Sequence, residues 1–132
     1  MIAYGLIKPP KSYKVEKRLL YLYQEMNHQL EKFKPEAFAI EDSFYSKNVK
    51  SAIRLGQARA ALMLSAAKFD IDIYEYAPRK VKQSICGSGA ATKEQVKFMV
   101  YNILQLKNGP KELDITDSMA VGLCFINNLR NL

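Results

Sequence analysis

The chain reads as an α/β layered domain, and two patterns predict it. Segments with apolar residues at three- and four-residue steps, the mark of amphipathic helices, alternate with short apolar or alternating runs of strand length. Their order is strand, helix, strand, helix, strand and then helices, which indicates helices layered on a sheet. With 132 residues, 48% of them apolar, there is material for one domain with a core.

The elements follow in order. Residues 2–7 look like a short strand stopped by Pro9 and Pro10. From 15 to 33, Val15, Leu19, Leu22, Tyr23, Met26, Leu30 and Phe33 form a helical stripe, ended by Pro35. Residues 37–40, an unbroken Ala-Phe-Ala-Ile run, read as a buried parallel strand with Glu41 at its carboxyl end, where open α/β sheets keep their sites. Residues 44–48 form a polar loop carrying Phe44. A helix rich in small residues spans about 49–68, suited to close packing within the domain or across a dimer. Residues 70–76 alternate as a strand. Pro78 begins a short helix that the Gly87-Ser88-Gly89 loop breaks. Thr92 and Gln95 form a capping box for a helix to about 106, Gly109-Pro110 marks a turn, and Asp114 starts the last helix.

Charge and cysteine content narrow the partners. Twenty Lys and Arg against 13 Asp and Glu, a net charge of +7, favour a polyanion. No apolar stretch spans a bilayer and no signal-peptide pattern opens the chain, so no membrane partner is expected. Cys86 and Cys124 are isolated and lack metal-ligand spacing; they read as buried free thiols of a reducing cytoplasm.

Three carboxylates stand in apolar surroundings. Glu41 follows the apolar strand, and Asp114 and Asp117, three apart, project from one helical face. A hard cation such as Mg²⁺ takes oxygen ligands, and two such ions can activate water and stabilise a leaving oxygen in phosphodiester hydrolysis. Taken alone, the aspartates read as first-turn capping residues and Glu41 as a solvated strand end. A basic surface beside a site for divalent cations suggests a metal-dependent nuclease.

At these residues the chain resembles the RuvC family of Holliday-junction resolvases. FAIEDSFYSKNVKSAIRLGQARA (38–60) resembles the segment holding the family's second catalytic acid. YEYAPRKVKQSICGSGAATKEQV (74–96) resembles its junction-binding segment, and DITDSMAVGLC (114–124) the helix with the last two acids. The resemblance implies an RNase H-like mixed sheet flanked by helices. It also implies a homodimer that nicks four-way junction DNA symmetrically in recombination and repair, associated with a branch-migration complex and dependent on two Mg²⁺ ions, with Mn²⁺ as substitute. On this reading Glu41, Asp114 and Asp117 are the catalytic, metal-binding acids. Lys82 and Lys93 lie near the scissile phosphate and DNA backbone, Phe44 stacks on bases with Lys47 beside it, and the helix around 56–65 forms the dimer. Outside the resemblance, Lys82 and Lys93 read as solvated helix lysines, and His28, off the apolar stripe, as a surface residue.

One departure shapes the expectation for activity. Residues 3–23 align best with the family's third strand and following helix. The single domain, 1–132, is therefore expected to lack the first two strands and the Asp-Pro-Gly turn that supplies the first acid. Fewer charged ligands hold a hard cation more weakly, so this chain is expected to cleave weakly or not at all. A non-catalytic junction-binding protein on the same scaffold is the alternative reading, and an RNase H-fold nuclease acting on RNA a third.

Overall fold

The computed structural model describes residues 1–43 and 48–130, in which five helices and two strands follow the order α1, β1, α2, β2, α3, α4, α5. The two strands, β1 (Ala37–Glu41) and β2 (Asp72–Tyr76), pair in a small parallel sheet. The chain divides into two compact units. One comprises Met1–Gly5, Ala39–Asp42 and Tyr74–Leu132, and the other Leu6–Phe38 and Ser43–Ile73.

The second of these units is built on α1 (Val15–Phe33) packed against α2 (Val49–Lys68). The small residues expected to allow close approach divide between two faces of α2. Ala61, Ser65 and Ala66 are buried with Leu30, whereas Ile53 and Leu64 point outward. Within the buried face the Ser65 hydroxyl donates to Asn27 Oδ1 at 2.6 Å, so a polar pair is satisfied internally. Lys34 ends α1 in the left-handed region (φ 46°), donating its backbone N–H to the Leu30 carbonyl. Pro35 then prevents the helix from resuming. His28 is exposed, beside Glu25 on α1.

The other unit holds α3 (Pro78–Cys86), α4 (Lys93–Ile103) and α5 (Leu113–Arg130) around one core. Val81 and Ile85 from α3, Val96 and Val100 from α4, and Ala120, Val121, Leu123 and Cys124 from α5 enclose the side chain of Tyr76. The Tyr74 ring lies 4.8 Å from that of Phe125, and Asn127 Nδ2 donates to Ser84 Oγ. Both cysteines are free thiols. Cys124 is fully buried, and Cys86 is half-buried with a thiol pKa pushed up by that burial.

Four expectations need correction. Residues 2–7 form no strand: the described sheet has two strands, neither of them here, and an extended segment becomes a strand only through a ladder of hydrogen bonds. Ile2, Tyr4 and Leu6 are exposed. The β1 residues are half-buried throughout rather than buried. The strand at 70–76 begins only at Asp72, because Asp70 takes a left-handed conformation in the turn after α2. The helix predicted to about 106 stops at Ile103. There Gln105 turns left-handed and the Leu106 N–H reaches the Tyr101 carbonyl at 2.9 Å, a closing motif that Leu104 and Leu106 disguise as continued helical periodicity.

Candidate active site

The acids come from two kinds of element within one unit. Glu41 is the last residue of β1 and is half-buried. The strand end carrying it is fixed by the Asp42 N–H, which donates to the Tyr76 carbonyl at 2.8 Å. Asp114 and Asp117 lie on the first two turns of α5. There Ile115 and Thr116 point into the core, and the Thr116 hydroxyl donates to the Leu113 carbonyl at 3.0 Å. With those two side chains inward, helical geometry turns the aspartates outward: Asp114 is exposed and Asp117 half-buried.

Lys93 enters from the start of α4. The capping box is formed as its sequence predicts: Gln95 N–H donates to Thr92 Oγ1 at 3.2 Å, and Thr92 N–H to Gln95 Oε1 at 2.8 Å. This fixes the backbone at Lys93, whose Nζ stands 3.2 Å from Asp117 Oδ2. The ammonium pKa is raised, first by its hydrogen bond to Asp117 and then by that carboxylate's charge, with Asp114 and Glu41 adding to the effect and partial desolvation opposing it. All three predicted acids therefore act on one cation. Sequence reading named Lys93 but assigned it no carboxylate partner.

The connection between α4 and α5 holds this arrangement. Tyr101 donates its hydroxyl to the Pro110 carbonyl at 2.6 Å, and its ring covers Gly109 so closely that a Cβ there would meet Tyr101 Cζ at 2.7 Å. The predicted Gly-Pro turn thus has a second role as the seat of an aromatic ring.

The basic residues are distributed more widely than predicted. Lys82 is half-buried on α3, between the inward-facing Val81 and Ile85. Arg79, missed from the sequence, lies across the Gly87-Ser88-Gly89 loop. A Cβ at residue 89 would stand 2.5 Å from Arg79 Cγ. The signal was the Gly-Ser-Gly itself, since a bare backbone permits that approach. Lys80 sits 5.6 Å from the Tyr76 ring centre, a cation–π distance. Phe44 and Lys47 lie outside the described residues.

The three acids offer only carboxylate oxygen, the donor chemistry of a hard divalent cation. Among the described residues no three carboxylate, imidazole or thiol side chains are gathered closely enough to share an ion. Mg²⁺ commonly takes one or two protein carboxylates and completes its shell with water and phosphate oxygens. The residues present match that open pattern rather than a closed protein cage.

Comparison with known proteins extends the local picture to the whole chain. Residues 1–125 match the family model described as crossover junction endodeoxyribonuclease RuvC. The protein of that name from Ruminiclostridium cellulolyticum is 44% identical over 130 residues, covering 98% of this chain and 78% of its own length. The one from Natranaerobius thermophilus is 42% identical over 123 residues, covering 93% and 76%. The solved structure of Thermus thermophilus RuvC superposes with a TM-score of 0.85 at 30% identity, covering 95% of this chain and 75% of that one. The same protein in complex with Holliday junction substrate gives 0.88 at 30%, covering 95% and 76%. These matches carry the RNase H-like fold assignment. By sequence and by fold, the chain belongs to the RuvC family of crossover junction endodeoxyribonucleases.

Proposed function

We propose that the chain resolves four-way DNA junctions by metal-dependent nicking, with Glu41, Asp114 and Asp117 as its catalytic, metal-holding acids. The observation that carries this reading is the Lys93–Asp117 pair at 3.2 Å, with Asp114 on the same helix and Glu41 at a strand end of the same unit adding to the rise of the ammonium pKa. Family membership supports it, as does the Holliday junction substrate bound by the Thermus thermophilus relative. Mg²⁺, or Mn²⁺ in its place, would supply an activated water and offset charge on the phosphodiester.

The chain's own residues do the rest. Lys93, beside the acids, and Lys82 on α3 neutralise the phosphate backbone, with the exposed Arg79 and Lys80 at the start of α3 adding positive charge. Phe44 stacks on bases opened at the crossover, with Lys47 contacting the backbone. A second copy of the chain, meeting it through the outward face of α2, provides the paired nick. Work beside a branch-migration complex, in recombination and repair in the cytoplasm, belongs to the same reading.

Cleavage of a labelled four-way junction in Mg²⁺, beside a gel-shift measurement of binding, tests it. In a version supplied with the Asp-Pro-Gly strand that carries the family's first acid, Asp114→Asn and Asp117→Asn are expected to cut cleavage by about 100-fold or more while leaving junction affinity within about threefold. Equal loss of both would give the aspartates a structural role. Tight junction binding without cleavage, even in the version supplied with that first acid, would favour the non-catalytic alternative.

A further inference from the structure

Lys93 occupies a place that helix electrostatics disfavour. The first turn of a helix carries partial positive charge and prefers acids, so an ammonium there is stabilised only by something else. That something is the acid cluster: Asp117 Oδ2 at 3.2 Å, with the charges of Asp114 and Glu41 behind it. The capping box fixes the backbone at Lys93, and the Tyr101 hydroxyl anchors the turn at Pro110 that precedes α5. The lysine side chain nevertheless remains 59% exposed, on a flexible four-carbon stem free to move.

We propose that Lys93 is the resident counter-ion of the acid cluster. It engages Asp117 while no divalent cation is bound, and swings aside when one arrives. The exchange replaces one cation by another at the carboxylate; no proton leaves Lys93. Two consequences follow. The lysine lowers the affinity for the incoming ion, because its pairing must first be broken. Once released, its ammonium is available to a phosphate oxygen, which couples ion loading to engagement of the DNA backbone. The inference rests on the metal-site reading above and adds to it a competitor within the chain.

The test is titration of the full chain with Mn²⁺, following free ion by electron paramagnetic resonance in the absence of DNA. Lys93→Gln is expected to bind Mn²⁺ about two- to fivefold more tightly than wild type, the range an exposed ion pair allows. Lys93→Arg, which keeps the charge, is expected to stay close to wild type. Lys97→Gln is the control: it removes the same charge one turn along α4, where Nζ donates to the Lys111 carbonyl instead. It should leave Mn²⁺ affinity nearly unchanged. If Lys93→Gln binds no more tightly than Lys97→Gln, the counter-ion proposal is overturned. The acid variants separate this from failure of the metal site itself. If Asp114→Asn, Asp117→Asn and Glu41→Gln all bind Mn²⁺ as wild type does, the metal-site reading falls and takes the counter-ion with it. If they weaken binding while Lys93→Gln fails to strengthen it, only the counter-ion role is lost.

Discussion

Lys93 and Asp117 join the start of α4 to the start of α5 through a single charged hydrogen bond of 3.2 Å. Because Asp117, Asp114 and Glu41 raise the Lys93 pKa, the sign of its pH dependence is fixed. A cation whose folded-state pKa exceeds its unfolded value stabilises fully below the unfolded value, about 10.4 for lysine. The stabilisation is lost as pH rises through the raised folded value. The pair is solvent-screened, so Lys93→Gln is expected to cost no more than about 1 kcal/mol near neutral pH. In urea denaturation, the gap between wild type and variant should hold steady below the ordinary lysine range and close as pH rises through the raised folded value. A gap still open above that range would mean that packing by the lysine stem, rather than its charge, supplies the difference.

Gly109 makes a separate claim on the same region. A methyl group at this position would meet three atoms of the Tyr101 side chain, two of the ring and the hydroxyl oxygen, the closest at 2.7 Å. Accommodating it means moving the ring and breaking the hydroxyl bond to the Pro110 carbonyl. Gly109→Ala is expected to cost about 1–3 kcal/mol, as overpacking does, and Tyr101→Phe about 0.5–1.5 kcal/mol. Chemical denaturation measures both. If the ring seat is the cause, combining the two changes should cost less than their sum, because the alanine already disrupts the hydroxyl bond.

Much of this was legible in the residues. The bounds of α1 follow from apolar periodicity and Pro35, and the small-residue run marks α2; the structure adds the cap at Asn48, whose side chain accepts from the Ser51 N–H. The capping box at Thr92 was readable because its chemistry is local. What failed depended on partners distant in sequence. Residues 2–7 have the composition of a strand, yet strand formation requires a neighbour that composition cannot specify. The end of α4 was missed because the left-handed residue is Gln105, where glycine or asparagine would have signalled a stop. At the site, the sequence singled out three carboxylates as candidates, but the Lys93–Asp117 pair depends on how α4 and α5 dock. Arg79 over Gly89 was hidden for the same reason.

The Asn27–Ser65 bond offers a test of how α1 and α2 are held together. Both side chains are buried, and the hydroxyl satisfies Asn27 Oδ1 at 2.6 Å. Ser65→Ala strands that oxygen away from water, a loss of about 1–3 kcal/mol. Adding Asn27→Leu removes the stranded group and should recover most of the loss, since replacing both partners by apolar groups is nearly neutral. Thermal and urea unfolding of the four combinations give the coupling. A double variant as unstable as the sum of the singles would show that the pair is not what joins the helices.

The outward face of α2 leads to the last prediction. Val49, Ile53, Gly56, Ala60 and Leu64 recur at three- and four-residue steps, and Ile53 and Leu64 are 57% and 63% exposed. Isolated exposed apolar side chains are ordinary, but a continuous stripe beside small residues allows close approach of a second helix. If the proposed homodimer forms there, Ile53→Glu or Leu64→Glu places a charge at the centre of the contact. The dimer dissociation constant should then rise about thirtyfold or more. Because both positions face solvent in the single chain, its unfolding free energy should change by less than about 0.5 kcal/mol. Sedimentation velocity reads the first effect and urea denaturation the second. A wild-type chain that stays monomeric at concentrations suited to sedimentation would remove the dimer. A dimer indifferent to both substitutions would place its interface on another face.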